Sequence, residues 1–161
     1  MKHELYFVKP FVSKRKPDAV AVMRGSTAYP RIYGVVYFYK VSAGVIVLTE
    51  IARLPNPDEV CRNPVFGFHI HGGSSCSGTP ENPFADADGH YNPNGCAHPY
   101  HAGDLPPLFG VNGRAFGAVL TNRFTVEDVR GKTIVLHASP DDFTTQPAGN
   151  SGERIACGEI K

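Results

Sequence analysis

The chain is expected to be an all-β protein, a sandwich or barrel of short antiparallel strands, and three observations point there. Its apolar stretches are short and rich in β-branched and aromatic residues, as in RIYGVVYFYKV over 31–41 and GVIVLTEIA over 44–52. Such side chains pack well on a pleated surface. Turn formers are frequent, with 17 Gly and 14 Pro among 161 residues, so segments end soon after they begin. Finally, about seven or eight strand-like segments follow one another with turn signals between them, the pattern of an all-β domain.

Taken in order, residues 1–17 read as an N-terminal arm, and its basic triplet Lys14-Arg15-Lys16 as a solvated tail. Residues 18–161 read as one domain, large enough to bury a core of its own. DAVAVM over 18–23 is the first strand, closed by Arg24-Gly25-Ser26. The strands over 31–41 and 44–52 follow, joined at Ser42-Ala43-Gly44 as a hairpin. Val65 to His71 is a further short strand ending at Gly72-Gly73. A loop of about forty residues comes next, a length that is functional when it occurs inside a compact domain. RAFGAVLT over 114–121 resumes the sheet, and Thr125 with Asp128 has the form of a capping box for one helical turn. Thr133 to His137 is a buried strand, 138–154 a second loop, and Ala156 to Lys161 the closing strand.

The bulk properties exclude several classes. Net charge is +1 and the isoelectric point about 7.7, so no global field invites nucleic acid or a membrane surface. No apolar run reaches the ~18 residues of a membrane-spanning helix. The first residues lack the apolar core of roughly 7–15 residues found in secretory signals. The expected location is therefore cytoplasmic, with a periplasmic or extracellular one as the alternative for a trimmed mature chain. Four cysteines are too few for a disulfide scaffold but leave room for one or two bridges, which would favour an oxidising compartment.

The chemistry concentrates between Val65 and Asp104, which holds five of the seven histidines, at 69, 71, 90, 98 and 101. His137 follows the apolar run 133–136. Neutral imidazole is the commonest metal ligand, and packing does not call for so many rings in a Gly/Pro/Asn-rich loop. Residues two apart on a strand share a face, so His69 and His71 can converge on one ion. His90, His98, His101 and Asp104 make a second set, with the donors of a tetrahedral zinc site. A cupin arrangement is weakened because Ser75 and Cys76 stand where its carboxylate would. An EF-hand fails because position twelve, counted from Asp86, is Ala97.

With those residues in view, the stretches GFHIH (67–71), GHYNP (89–93), HAGDL (101–105), VLH (135–137) and GNSGERIACG (149–158) resemble, in order, the signatures of the copper/zinc superoxide dismutase family. The resemblance runs from about residue 18 to the end. The short His71–Cys76 interval and the Gly-Glu-Arg ending resemble its bacterial branch. It implies an eight-stranded antiparallel Greek-key barrel with two long functional loops, and dismutation of superoxide to dioxygen and hydrogen peroxide. Copper would be held by His69, His71, His90 and His137, and zinc by His90, His98, His101 and Asp104, with His90 bridging the two. His90 would leave copper on reduction and carry a proton to the product, and Arg154 would receive the anion. Asp141 would link His69 to His98, and Cys76 would pair with Cys157. The resemblance leaves monomer and homodimer open.

Two departures from the family pattern stand out. Only two residues separate His98 from His101, so the zinc loop is cut short. Cys61 and Cys96 are additional, either as a second disulfide bracing that loop or as two free thiols. The rival reading is a non-catalytic copper/zinc binder (a store, carrier or structural module), which loss of a copper ligand or of Arg154 would have favoured.

Overall fold

The structure is a computed structural model and describes residues 14–56 and 64–161. Among them are nine strands: β1 (Ala19–Gly25), β2 (Tyr33–Val41), β3 (Gly44–Ala52), β4 (Val65–Phe66), β5 (Phe68–His71), β6 (Leu108–Val111), β7 (Arg114–Thr121), β8 (Thr133–His137) and β9 (Arg154–Glu159). Every pairing is antiparallel, in the spatial order β4-β6-β7-β3-β2-β1-β9-β8-β5. The strands at the two ends of that order, β4 and β5, are joined by Gly67 alone, so the sheet curls until its edges meet. The Gly67 carbonyl accepts from the His137 amide, and its own amide donates to the Ser139 carbonyl, both at 2.8 Å. The consecutive pairs β3/β4 and β7/β8 are not neighbours, so the chain crosses the barrel ends in the Greek-key manner.

The alternation of each strand decides what the barrel encloses. On β1, Ala19, Ala21 and Met23 point inward, as do Val36 and Phe38 on β2, Phe68 and Ile70 on β5, and Ile134 and Leu136 on β8. All are buried, and a fully buried side chain of this kind contributes roughly 1.5–3 kcal/mol. The intervening residues of β5 and β8 therefore face outward under the loops. They are His69, His71, Thr133, Val135 and His137. Among the described residues one α-helical turn is found, α1 (Val126–Val129); it starts at Thr125, whose side chain accepts from the Asp128 amide while the Asp128 carboxylate accepts from the Thr125 amide. It seals one barrel end with Val126 and Val129.

The expected strands over 44–52, 114–121 and 133–137 are found with those bounds. Nine strands stand where the sequence showed seven segments, for two reasons. Gly67 breaks the 65–71 segment in two, and Leu108–Val111, inside what read as one loop, pairs with both β4 and β7. The last strand begins at Arg154 rather than 156, because Arg154 lies in register opposite His137. Most of the arm over 1–17 lies outside the described residues. Arg15 is more than a solvated tail residue, since its guanidinium donates to the Lys40 carbonyl at 2.7 Å and to Asp18 at 3.1 Å.

Candidate metal centre

The backbone of β5 delivers the site. One edge of this strand pairs with β8; the other is taken up by the long loop over 72–107. The Tyr91 amide donates to the Ile70 carbonyl at 2.8 Å, and the Ile70 amide to the Gly103 carbonyl at 2.9 Å. These bonds set His90 opposite His71 and Asp104 opposite His69. The close approach requires glycine at 103, where a Cβ would lie 2.2 Å from the Ile70 carbonyl oxygen. Loop and strand thus present their polar side chains to one another.

Two donor sets result, His69/His71/His90/His137 and His90/His98/His101/Asp104, each with its donor atoms within 4.8 Å of one another. They share His90, whose ring centroid is 4.0 Å from that of His69, 5.0 Å from that of His71 and 5.4 Å from that of His101. Nδ1 of His90 lies on the Asp104 side, 2.8 Å from Oδ1 and 3.4 Å from His101 Nδ1. Its Nε2 is buried and has no hydrogen-bond partner. One ring therefore stands between two clusters and offers a different nitrogen to each.

The other histidines are oriented through the nitrogen that turns away from the cluster. His71 Nδ1 is 2.7 Å from the Asp88 carbonyl, and His137 Nδ1 is 3.2 Å from that of Gly152. The N–H donated there leaves Nε2 as the lone pair on each ring, and the two Nε2 atoms are 3.3 Å apart. Asp141, buried, holds two rings at once: Oδ2 is 2.8 Å from His69 Nε2 and Oδ1 is 2.9 Å from His98 Nε2. Nδ1 of His69 and Nδ1 of His98 are then buried without a hydrogen-bond partner. His98 Nδ1 does lie 3.1 Å from Asp104 Oδ2. That contact is misaligned for a hydrogen bond, as expected of two donors aimed at a common point.

The residues fit metal ions. Buried polar atoms are paired in folded proteins, so three orphaned imidazole nitrogens converging in two clusters mark positions for cations. The protonation states agree. Burial, with the neighbouring His90 and His137, pushes His69 down to about 2, and burial pushes His137 down to about 4. Burial also holds His71 well below its ordinary value, partly opposed by its bond to the Asp88 carbonyl. These rings stay neutral with lone pairs available. Burial alone would raise Asp104, but the His90 hydrogen bond and the surrounding imidazoles outweigh it and keep the carboxylate ionised. Neutral nitrogens with one carboxylate are the donors that copper and zinc take.

Arg154 lies at the mouth of the four-histidine set. Paired with His137 across β8 and β9, it donates to the carbonyls of Phe84 at 2.6 Å and Asp88 at 2.7 Å. Because His71 uses the same Asp88 carbonyl, one loop residue fixes both a candidate ligand and this cation. Cys76 and Cys157 form a disulfide, Cα–Cα 5.8 Å, between the long loop and β9. It packs with Phe84, Ala87 and Val135 and so holds the carbonyl-bearing segment 84–88 against the barrel. Cys96 is an exposed free cysteine, and Cys61, with which it would form a second disulfide or stand as a second free thiol, lies outside the described residues.

Every histidine of the two expected sets is thus brought together, with Asp104, Asp141 and Arg154. Sequence reasoning missed the carbonyls of Phe84, Asp88 and Gly152, since a carbonyl carries no residue identity. It also missed Gln146, whose amide donates to the His98 carbonyl at 2.7 Å and accepts from the His98 amide at 2.9 Å. Arg123 was missed as well; its Nη1 reaches the carbonyls of Pro99, His101 and Asp104. An arginine and a glutamine with no apolar context were the only signals available.

The fold and the site define a Greek-key β-barrel protein with a paired metal centre of histidines. The copper/zinc superoxide dismutase (SODC) family profile matches residues 32–160, and the chain belongs to that family. It is 34% identical over 152 residues to the Cu-Zn superoxide dismutase of Legionella pneumophila, spanning 89% of this chain and 87% of that protein. To the Cu-Zn superoxide dismutase of Photobacterium leiognathi it is 36% identical over 132 residues, 73% of this chain and 72% of the other. Against Cu-Zn superoxide dismutase 1 of Aquifex aeolicus the figures are 34% over 135 residues, 74% and 75%.

Proposed function

We propose that this chain dismutes superoxide to dioxygen and hydrogen peroxide, using one domain over 18–161 behind an arm over 1–17. The observation that supports it most is the placement of His90 with its two ring nitrogens directed at two separate donor sets. His69, His71, His90 and His137 would hold copper; His90, His98, His101 and Asp104 would hold zinc. Bound copper would supply the one-electron chemistry by alternating between Cu(II) and Cu(I), while zinc, without redox chemistry, would supply fixed charge and rigidity.

Three side chains would carry the protein side of the reaction. Superoxide is an anion, and the Arg154 guanidinium, with two of its five donors engaged by Phe84 and Asp88, receives it beside His137. His90 Nε2 would take a proton from solvent and pass it to the product, the second proton of hydrogen peroxide coming from solvent, while Nδ1 stays engaged on the Asp104 side. Asp141 keeps His69 and His98 in the tautomers whose Nδ1 atoms face the metals, and so couples the two half-sites.

A metal-binding protein without catalysis is the less favoured reading, because all four histidines of the copper set and Arg154 are in place. The Cys76–Cys157 disulfide supports a periplasmic or extracellular location over the cytoplasm. Among the described residues no helix is long and apolar enough to cross a membrane. The chain acts on superoxide as a monomer or homodimer, which sedimentation distinguishes. The function is tested by reconstituting the full chain with copper and zinc and following superoxide decay. Loaded protein should accelerate the decay, and Arg154→Ala should lower kcat/KM roughly ten- to a hundredfold with metal content unchanged. Full loading with no acceleration would overturn the proposal.

A further inference from the structure

We infer that Arg123 and Gln146 are positioning residues of the zinc half-site, gripping the main chain over 98–104 so that His98, His101 and Asp104 converge. The inference rests on the zinc assignment above. The segment that carries these three residues contains no strand or helix, its main-chain tie to β5 comes only at its far end, at Gly103 and Asp104, and the interval between its histidines is short. Its internal backbone bonds among the described residues are those of tight turns, such as the Tyr100 amide to the Ala97 carbonyl. Something outside the segment must set its shape before an ion arrives.

Two side chains from different parts of the barrel do so. Arg123 follows β7, anchored by its amide on Thr121 Oγ1 at 3.2 Å and by the next residue, Phe124, in the core. Its Nη1 stands between three carbonyls of the zinc segment, 3.2 Å from Pro99, 3.3 Å from His101 and 3.2 Å from Asp104. An ordinary surface arginine would extend into water and lose little by it. Here the charge meets the oxygen ends of three peptide dipoles, two of them belonging to candidate ligands.

Gln146 holds the other end. Its amide both donates to and accepts from the main chain of His98, as a paired strand would. A primary amide does both at once; a carboxylate only accepts, and an ammonium only donates. The loop that presents Gln146 is ordered by its own bonds. Asp142 accepts from the amides of Thr144 and Thr145 at 2.9 and 2.8 Å, and the Gly149 amide donates to the Thr145 carbonyl at 2.7 Å. The same loop carries Asp141, so His98 is fixed at its main chain and at its ring by one element.

Outer partners of metal ligands change metal affinity about 10–100-fold when removed. In the metal-free full-length chain, zinc titrated against a chromophoric chelator should bind about tenfold more weakly to Arg123→Ala and to Gln146→Ala. The double variant should lose about the product of the two, since they hold different groups. Gln146→Glu keeps the size but cannot donate to the His98 carbonyl, and should match Gln146→Ala. Arg123→Lys keeps the charge and should recover part of the loss. The EPR spectrum and affinity of copper loaded alone should not change, because neither side chain touches His69, His71, His90 or His137. Zinc affinity within about twofold of wild type in the double variant would overturn the inference. So would a parallel loss of copper affinity, which would assign both side chains to general stability. If wild type itself fails to take zinc, the zinc assignment fails and the inference falls with it.

Discussion

Replacing Asp141 by asparagine separates the two half-sites, and the structure says which one suffers. Oδ1 accepts two bonds, from His98 Nε2 at 2.9 Å and from the Phe143 amide at 2.7 Å, whereas Oδ2 accepts only from His69 Nε2 at 2.8 Å. An asparagine has one oxygen. The Phe143 amide cannot rotate away, so that oxygen takes the Oδ1 position and the NH2 group faces His69. His69 then has either an N–H pointing at another N–H, or the opposite tautomer with its proton on Nδ1. In the first case a buried donor goes unsatisfied, at a cost of about 1–3 kcal/mol. In the second, the proton occupies the atom that would hold copper. Each 1.4 kcal/mol is tenfold, so copper affinity should fall by roughly 10–100-fold while zinc affinity shifts by less than about threefold. Chelator-competition titrations with each ion alone read the two numbers independently. Equal losses for both metals, or loss of zinc with copper unchanged, would refute the reasoning that the Phe143 amide fixes the amide's orientation.

Other expectations follow from particular contacts. Cys76→Ser opens a loop closed across 81 residues, which by chain entropy contributes about 4 kcal/mol, so the melting temperature should fall and Arg154 should lose its hold as segment 84–88 loosens. Reducing agent should have the same effect on wild type and none on the variant. Gly149→Ala would place a Cβ 2.0 Å from Asp141 Oδ1 and 2.7 Å from His98 Nε2, at a φ of +64°. Both stability and zinc affinity should drop, measured by calorimetry and chelator competition. The metal-free protein should also lose stability as pH falls below about 6.5. The folded-state pKa of His137 lies near 4, so between those values the unfolded chain binds the proton and the folded chain does not. Stability therefore rises with pH across that window, by about 3 kcal/mol from this residue alone, and His69, lowered further, extends the decline to more acid pH. Urea midpoints between pH 4 and 7 check the sign, and a midpoint that rises on acidification would contradict it.

Much of this architecture was legible because it follows from side-chain periodicity. The alternation Phe68-His69-Ile70-His71 tells the core face from the metal face without any structure, and Thr133 to His137 repeats it. Thr125 and Asp128 announced the helical turn through a local bond that sequence spacing alone defines. The parts that were hidden depend on long-range closure. Leu108–Val111 is four residues behind Pro106-Pro107, too short to show a period, and becomes a strand because β4 and β7 both offer it partners. Gly67 looked like one more residue of a strand, yet it is the joint where the sheet meets itself. At the site, His69 with His71, and His90 with His98, His101 and Asp104, could be grouped by spacing, since ligand chemistry belongs to side chains; His137 and the shared place of His90 came only from the family resemblance. The groups that aim them could not be found by spacing. The Asp88 and Gly152 carbonyls have no signature, and Arg123 reaches the Asp104 carbonyl from 19 residues further along the chain.

The proposed function turns on a single ring, His90, standing between two cations held by separate sets of donors. Crystals of the chain reconstituted with copper and zinc, measured at the absorption edge of each metal, test it directly. The proposed function requires a copper peak among His69, His71 and His137, a zinc peak among His98, His101 and Asp104, and the His90 imidazole between them with one nitrogen toward each. A single peak, or two peaks of which either lies out of reach of His90, would contradict it.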